Sequence, residues 1–226
     1  MMNPVLLSGY MEAHFVTPPH LGGWLEVKLN KTEIDYLWTR IKAAEERDED
    51  RRHTLAGQIS ASLVLDDLDN YFQDNVLYSL VNEYFNHHPS YSQEVAGNRM
   101  TLDTKNSDFN ILLDEWWVNK QKQGEYNPMH NHAGLFSFAI WMQEPAEYAE
   151  QNKHDNAKAS NMPSHNRFNF HYSTILNQTI SSFYPLGKQS EGTMVFFPAK
   201  LFHSVNPFFD NDGIRISIAG NMCVQT

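Results

Sequence analysis

From residue 108 to the C terminus, short apolar or alternating runs follow one another, separated by Gly, Pro, Asn and Asp, and none shows a helical period. The runs are 109–119, 135–142, 167–173, 179–184, 193–197 and 214–220. Strands that succeed one another without intervening helices cannot form βαβ crossovers, so they pair antiparallel. A series of this kind buries its apolar faces as a double-sheet barrel or jelly roll. Upstream, Ile34, Leu37, Trp38 and Ile41 recur at helical spacing within 32–47, with Thr32 as N-cap and Asp35 three residues on. A second helix is predicted over 67–86, with Leu68, Tyr71, Phe72, Val76, Leu77, Leu80 and Val81 on a broad apolar face. It stops at His87-His88-Pro89. Residues 1–30, with Pro18, Pro19, Gly22 and Gly23, read as irregular chain entering a short strand; 53–65 reads as a loop and a short strand, and 90–107 as a polar connection. The fold class is therefore mainly β with flanking helices (α+β), the helices covering one outer face. A chain of 226 residues suits a single domain, 1–226, with a helical N-terminal region over 1–107 and a β core over 108–226.

Chemistry concentrates at a few points in that core. His130 and His132 are two apart in an extended segment, so both imidazoles face one side. Taken alone, such a pair is more often a surface feature than a ligand set. A third histidine, His203, lies 71 residues after His132, and a rolled sheet can return it to the pair. In the last run, Arg215 and Ser217 share one face while Ile214, Ile216 and Ile218 take the other. An arginine turned into a small barrel needs an anion, and its fork matches a carboxylate. The opposite reading is an outward arginine paired with a surface acid. Glu125 is poorly placed to share the face of His130. His14, His20, His53, His154, His165 and His171 have no partner at ligand spacing and read as structural or exposed.

The net charge of −10, without a basic stripe, argues against a general nucleic-acid binder. The single cysteine, Cys223, allows no intrachain disulfide, reads as core filler and suits a reducing compartment. The N terminus lacks a basic, apolar leader pattern, and no apolar run reaches the length of a membrane span. The expectation is a cytoplasmic protein with no membrane association, acting on a small molecule or peptide.

The order His-x-His, distal His, Arg-x-Ser resembles the iron(II)- and 2-oxoglutarate-dependent oxygenases. The closer resemblance is to a subgroup from marine bacteria and phages. It rests on Trp117-Val118-Asn119, Gly124, Asn127, His130, His132, Phe197-Pro198, His203, Val205 and Arg215-Ile216-Ser217, with Leu55 to Ile59 upstream. The resemblance implies a double-stranded β-helix, also called a cupin-like jelly roll, in which His130, His132 and His203 hold Fe(II). Arg215 and Ser217 then receive the distal carboxylate of 2-oxoglutarate. Asn119 and Asn127 either bind the cosubstrate or satisfy turn backbone, and both readings stay open. The implied reaction is a dioxygenase reaction: 2-oxoglutarate is decarboxylated oxidatively to succinate while an unidentified substrate is hydroxylated. Trp116, Trp117, Phe136, Phe138 and Tyr184 either line the pocket or pack the core. The polar stretch 144–166 is the natural specificity lid.

One position departs from the family pattern: His132 stands where a carboxylate is usual. Three neutral imidazoles leave the full +2 of the metal uncompensated, and three histidines are also a zinc set. The alternatives are a zinc-dependent hydrolase or hydratase, or a metal-binding jelly roll without catalysis. A lower-ranked variant makes His132 the first ligand, with a small residue in the carboxylate position as in related halogenases.

Overall fold

The computed structural model describes residues 5–7, 11–16, 23–89, 91, 110–174, 176 and 178–225. Most of the proline- and glycine-containing entry, most of the polar connection over 90–107, and residues His20 and Phe109 lie outside the described residues. Among the described residues, twelve strands form two sheets. They are β1 (Val5–Leu7), β2 (Met11–Val16), β3 (Trp24–Lys28), β4 (Ala61–Val64), β5 (Asn110–Gln121), β6 (Asn127–His130), β7 (Phe136–Gln143), β8 (Arg167–Ser173), β9 (Thr179–Pro185), β10 (Thr193–Pro198), β11 (Phe202–Val205) and β12 (Arg215–Gln225). The major sheet has the order β1-β2-β3-β10-β7-β12-β5-β4, and the minor sheet β6-β11-β8-β9. Every pairing is antiparallel. This is the double-stranded β-helix.

Period-two alternation gives the major sheet two different faces. Trp116 and Val118 on β5, Phe138 and Ile140 on β7, Ile216 and Ile218 on β12, and Met194 and Phe196 on β10 share one core with the helices. That core takes Leu37, Ile41 and Ala44 from α1 (Lys31–Arg47) and Leu80, Val81 and Tyr84 from α2 (Tyr78–His87). The opposite face carries Trp24, Trp141, Val195 and Phe197, which pack against Phe168 and Phe170 of the minor sheet. A bulge in the β12–β5 pairing, between Asn221↔Glu115 and Met222↔Leu113, inserts Asp114. It restores the apolar parity beyond that point, so that Leu113 and Ile111 also face the helices.

Several expectations change at the boundaries. The N-cap of α1 is Asn30, not Thr32: its side chain accepts from Glu33 N at 3.0 Å, and Glu33 accepts from Asn30 N at 2.7 Å. The continuous helix predicted over 67–86 begins later. Asp67 accepts from the backbone N–H groups of Phe72 and Gln73, both at 2.8 Å, and Asp69 turns at φ 54°. A π turn over Gln73–Leu77 then leads into α2. The region 1–107 supplies strands of the major sheet as well as helices. Two strands too short to read from the sequence, β6 and β11, carry His130 and His203.

Candidate metal centre and its cavity

His130 and His203 face each other in direct register across β6 and β11. His132 follows β6 in a turn fixed by His132 N donating to Ala199 O at 2.9 Å. Two residues on, Gly134 adopts φ 92°, where a Cβ would stand 2.8 Å from Met222 O. One nitrogen from each of the three histidines lies within 4.8 Å of the others. The Nδ1 atoms of His130 and His203 lie 2.7 Å from Pro128 O and 3.0 Å from Leu201 O. A carbonyl only accepts, so both Nδ1 atoms carry the proton and both Nε2 atoms keep a lone pair. Nε2 of His132 and His203 are 3.2 Å apart. Two nitrogens about 2.1 Å from one metal, as in imidazole sites, are separated by roughly 3.0–3.4 Å for octahedral to tetrahedral angles.

The electrostatics suit the same purpose. Burial lowers the pKa of all three histidines, to about 4 for His132 and well below the ordinary value for His203. Each imidazole is therefore neutral near pH 7 and available as a donor. The residues present fit a divalent cation held by three nitrogens, and among the described residues no carboxylate joins the cluster.

The three histidines open onto a cavity of about 320 Å³ between the sheets. Its floor is the inner face of the major sheet, where the registers place Glu115, Trp117, Asn119 and Gln121 of β5 opposite Asn221, Ala219, Ser217 and Arg215 of β12. Of the residues read from the sequence, Asn119, Asn127, Arg215 and Ser217 line this cavity with the three histidines. Of the five aromatics weighed, Trp117 and Phe138 line it; Trp116 and Phe136 pack in the helix-side core, and Tyr184 packs beside the inner cluster. Trp117 Nε1, Asn119 Oδ1, Gln121 Nε2 and Asn127 Oδ1 are buried there without a hydrogen-bond partner. Unpaired polar atoms on a cavity wall are what a polar ligand or ordered water satisfies.

Arg215 is fully buried but is not a free fork. Nε–H donates to Glu144 Oε2 at 3.1 Å, one terminal nitrogen to Asn206 O at 3.2 Å, and the other to Asn166 Oδ1 in a short contact. The outward, surface-paired reading of this arginine is thus excluded. The pairing with Glu144 was not legible, because Glu144 is 71 residues away in the loop read as a lid.

That loop does not cover the cavity. Its residues tie instead to 206–212: Gln151 exchanges two hydrogen bonds with Phe209 (2.7 and 2.8 Å), and His154 pairs with Asp210 at 2.8 Å. The outer wall comes from Arg51, Thr54, Leu55 and Ala56. This segment lies against β6 because Gly57 has no Cβ, which would stand 2.3 Å from Tyr126 O. Arg51 sits over the Trp117 indole at 3.9 Å and pairs with Glu115. Burial raises the pKa of Glu115, but hydrogen bonds from Arg51 and Asn221 outweigh it and keep the carboxylate ionised. Glu115, Gln121 and Arg51 were missed. The alternation Glu115-x-Trp117-x-Asn119-x-Gln121 was the available signal for the first two: a polar face on a strand whose other face is core.

Comparison with known proteins agrees with this arrangement. Residues 115–221 match a family model described as "Putative 2OG-Fe(II) oxygenase". That segment carries the pattern of the 2OG-Fe(II) oxygenases. It runs from Glu115 past Arg215 and contains all three histidines. Among solved structures, the non-heme alpha ketoglutarate dependent carbocyclase SnoK from nogalamycin biosynthesis shares the fold. It has TM-score 0.52 and 9% identity, over 88% of this chain and 79% of that one. A Pseudomonas putida prolyl-4-hydroxylase aligns with TM-score 0.49 and 11% identity, over 90% and 93%. No curated protein matches by sequence. Among the described residues, no helix is long and apolar enough to cross a membrane.

Proposed function

We propose that this protein binds Fe(II) through His130, His132 and His203 and uses 2-oxoglutarate to hydroxylate a small-molecule or peptide substrate. The observation that carries the reading is that three neutral, converging imidazoles share one cavity with a buried arginine. When bound, Fe(II) supplies the oxygen activation that couples loss of carbon dioxide from 2-oxoglutarate, giving succinate, to insertion of oxygen into a C–H bond.

The chain's own residues do the rest. Pro128 O and Leu201 O hold His130 and His203 in the tautomer that presents Nε2. Arg215 and Ser217 receive the distal carboxylate, with the Gln121 amide N–H beside them. Asn119 stands next to Ser217 in register, with its carbonyl oxygen free to meet a polar group. Trp141, Phe168 and Phe197 keep that end dry, which strengthens each polar contact made there. Arg51, Thr54, Leu55 and Ala56 face the substrate in place of the polar loop. Strands β1–β4 complete the sheet that carries the site, so we treat 1–226 as one functional unit, and the lone thiol suits the cytoplasm.

The all-imidazole donor set is also a zinc set, which keeps a hydrolytic reading open to test. The deciding experiment adds Fe(II) and then 2-oxoglutarate to the anaerobic protein, follows the visible charge-transfer band, admits oxygen and assays succinate. The band and succinate are expected. Tight zinc binding with neither would overturn the oxygenase reading.

A further inference from the structure

The partner that Arg215 already has is the part of the site the reaction does not explain. Glu144 is 1% exposed and Arg215 0%, so this is an ion pair away from solvent. Glu144 gains little from the pairing. Only Oε2 accepts, from Arg215 Nε–H at 3.1 Å, while Oε1 is buried without any hydrogen-bond partner. A second carboxylate, Glu191, accepts from Glu144 N at 2.8 Å and is itself paired with Lys188 at 2.8 Å. Arg215 lines the cavity and Glu144 does not, so the carboxylate stands behind the guanidinium rather than in the ligand space. Glu144 and Asn166 together aim the guanidinium, and Glu144 makes the local charge sum to zero before any ligand arrives.

A dicarboxylate placing one end on Arg215 changes that sum. One buried guanidinium would then serve two carboxylates, leaving an unbalanced negative charge where burial makes it costly. We propose that Glu144 is a positioning residue for Arg215 and takes up one proton from solvent, forming an O–H bond, when 2-oxoglutarate occupies the arginine. This rests on the cosubstrate assignment above. The groups acting on Glu144 already lean that way. Burial raises its pKa to about 7 against the pull of Arg215, with Glu191 raising it further and Lys188 opposing. An incoming anion raises it again, so ligand binding and protonation favour each other. Free Glu144 is ionised above about pH 7, so affinity is full below that point and falls as pH rises through it.

The test is calorimetric titration of the full chain, saturated with Mn(II), from pH 6.5 to 8.5 in buffers of different ionisation enthalpy. 2-Oxoglutarate should bind with uptake approaching one proton per molecule at pH 8, and its affinity should fall about tenfold per pH unit above 7. Pyruvate keeps the keto acid end but lacks the distal carboxylate, so it should bind without uptake. In Glu144→Gln both the uptake and the pH slope should vanish, and affinity at pH 8 should rise. Because the 2-oxoglutarate and pyruvate comparison uses the unmodified chain, a poorly folding variant leaves the test intact. Binding of 2-oxoglutarate without uptake, or equal uptake with pyruvate, overturns the inference and leaves the oxygenase reading standing. Absence of 2-oxoglutarate binding at every pH overturns both.

Discussion

At the scale of single residues, the histidines and Arg215 are held in quite different ways. His203 has a carbonyl behind one nitrogen and open cavity before the other, so its removal should act on metal and not on the fold. His203→Ala is expected to lower metal affinity by more than the roughly 10–100-fold that loss of an outer hydrogen-bond partner produces, checked by equilibrium dialysis. Arg215 is part of a buried pair, and truncating it strands a carboxylate. Arg215→Met should therefore destabilise by about 3–5 kcal/mol in denaturant titration, and adding Glu144→Gln should restore much of that loss. Glu144 also sets a pH signature. Its folded pKa is raised to about 7 from 4.5, so the stability it contributes is complete below about pH 4.5 and is lost as pH rises through 7. Between pH 5 and 8 the unmodified protein should lose stability relative to Glu144→Gln. His130 with His132, and Arg215 with Ser217, were legible as pairs because residues two apart on an extended chain share a side, while joining both pairs to His203 rested on the family resemblance. Glu144 escaped notice because nothing local marks a loop carboxylate as buried.

At the scale of elements, the capping and close-packing devices can be tested one at a time. Asn30→Ala removes the side-chain half of the α1 capping box, the bond Asn30 Oδ1 accepts from Glu33 N, and should cost about 1 kcal/mol, whereas Thr32→Ala should be close to neutral; thermal melts of the two variants compare them directly. Gly57→Ala places a methyl against the backbone of Tyr126 and should cost about 1–3 kcal/mol, displacing the segment that carries Leu55 and Ala56. Long periodic elements were legible: α1, β5, β7 and β12 fall within a few residues of their predicted spans. Short ones were not. β6 and β11 each have four residues, too few for a period to register, and only their pairing with each other and with β8 makes them strands. The start of the second helix was misplaced because Asp67, read as a helical residue, is the side chain that caps it.

At the scale of the whole molecule, a ligand set drawn from two neighbouring strands and the turn after the first, with His132 and His203 71 residues apart in the chain, should couple metal occupancy to global stability. At a free metal concentration about 100-fold above Kd, loading should stabilise by about 2.7 kcal/mol and raise Tm by roughly 5–10 °C; a chelator should reverse the shift in differential scanning fluorimetry. The jelly-roll architecture followed from the strand series, since antiparallel runs without crossovers leave few alternatives. Which segment walls the cavity did not follow, because a polar loop over 144–166 looks the same whether it roofs the site or braces the far side. The Asp114 bulge carries a consequence of its own. From Glu115 onward β5 is read like a code in steps of two, odd positions into the cavity and even ones toward the helices, Trp116 and Val118 in their core and Lys120 paired with Glu45. One inserted or deleted residue between 115 and 121 is therefore a frameshift: it would exchange the cavity floor for core and core for floor at a stroke. Upstream, where Asp114 already holds a spare place, the same change can be absorbed. The chemistry of this cavity can thus be varied by substitution at odd positions, while its strand lengths are locked.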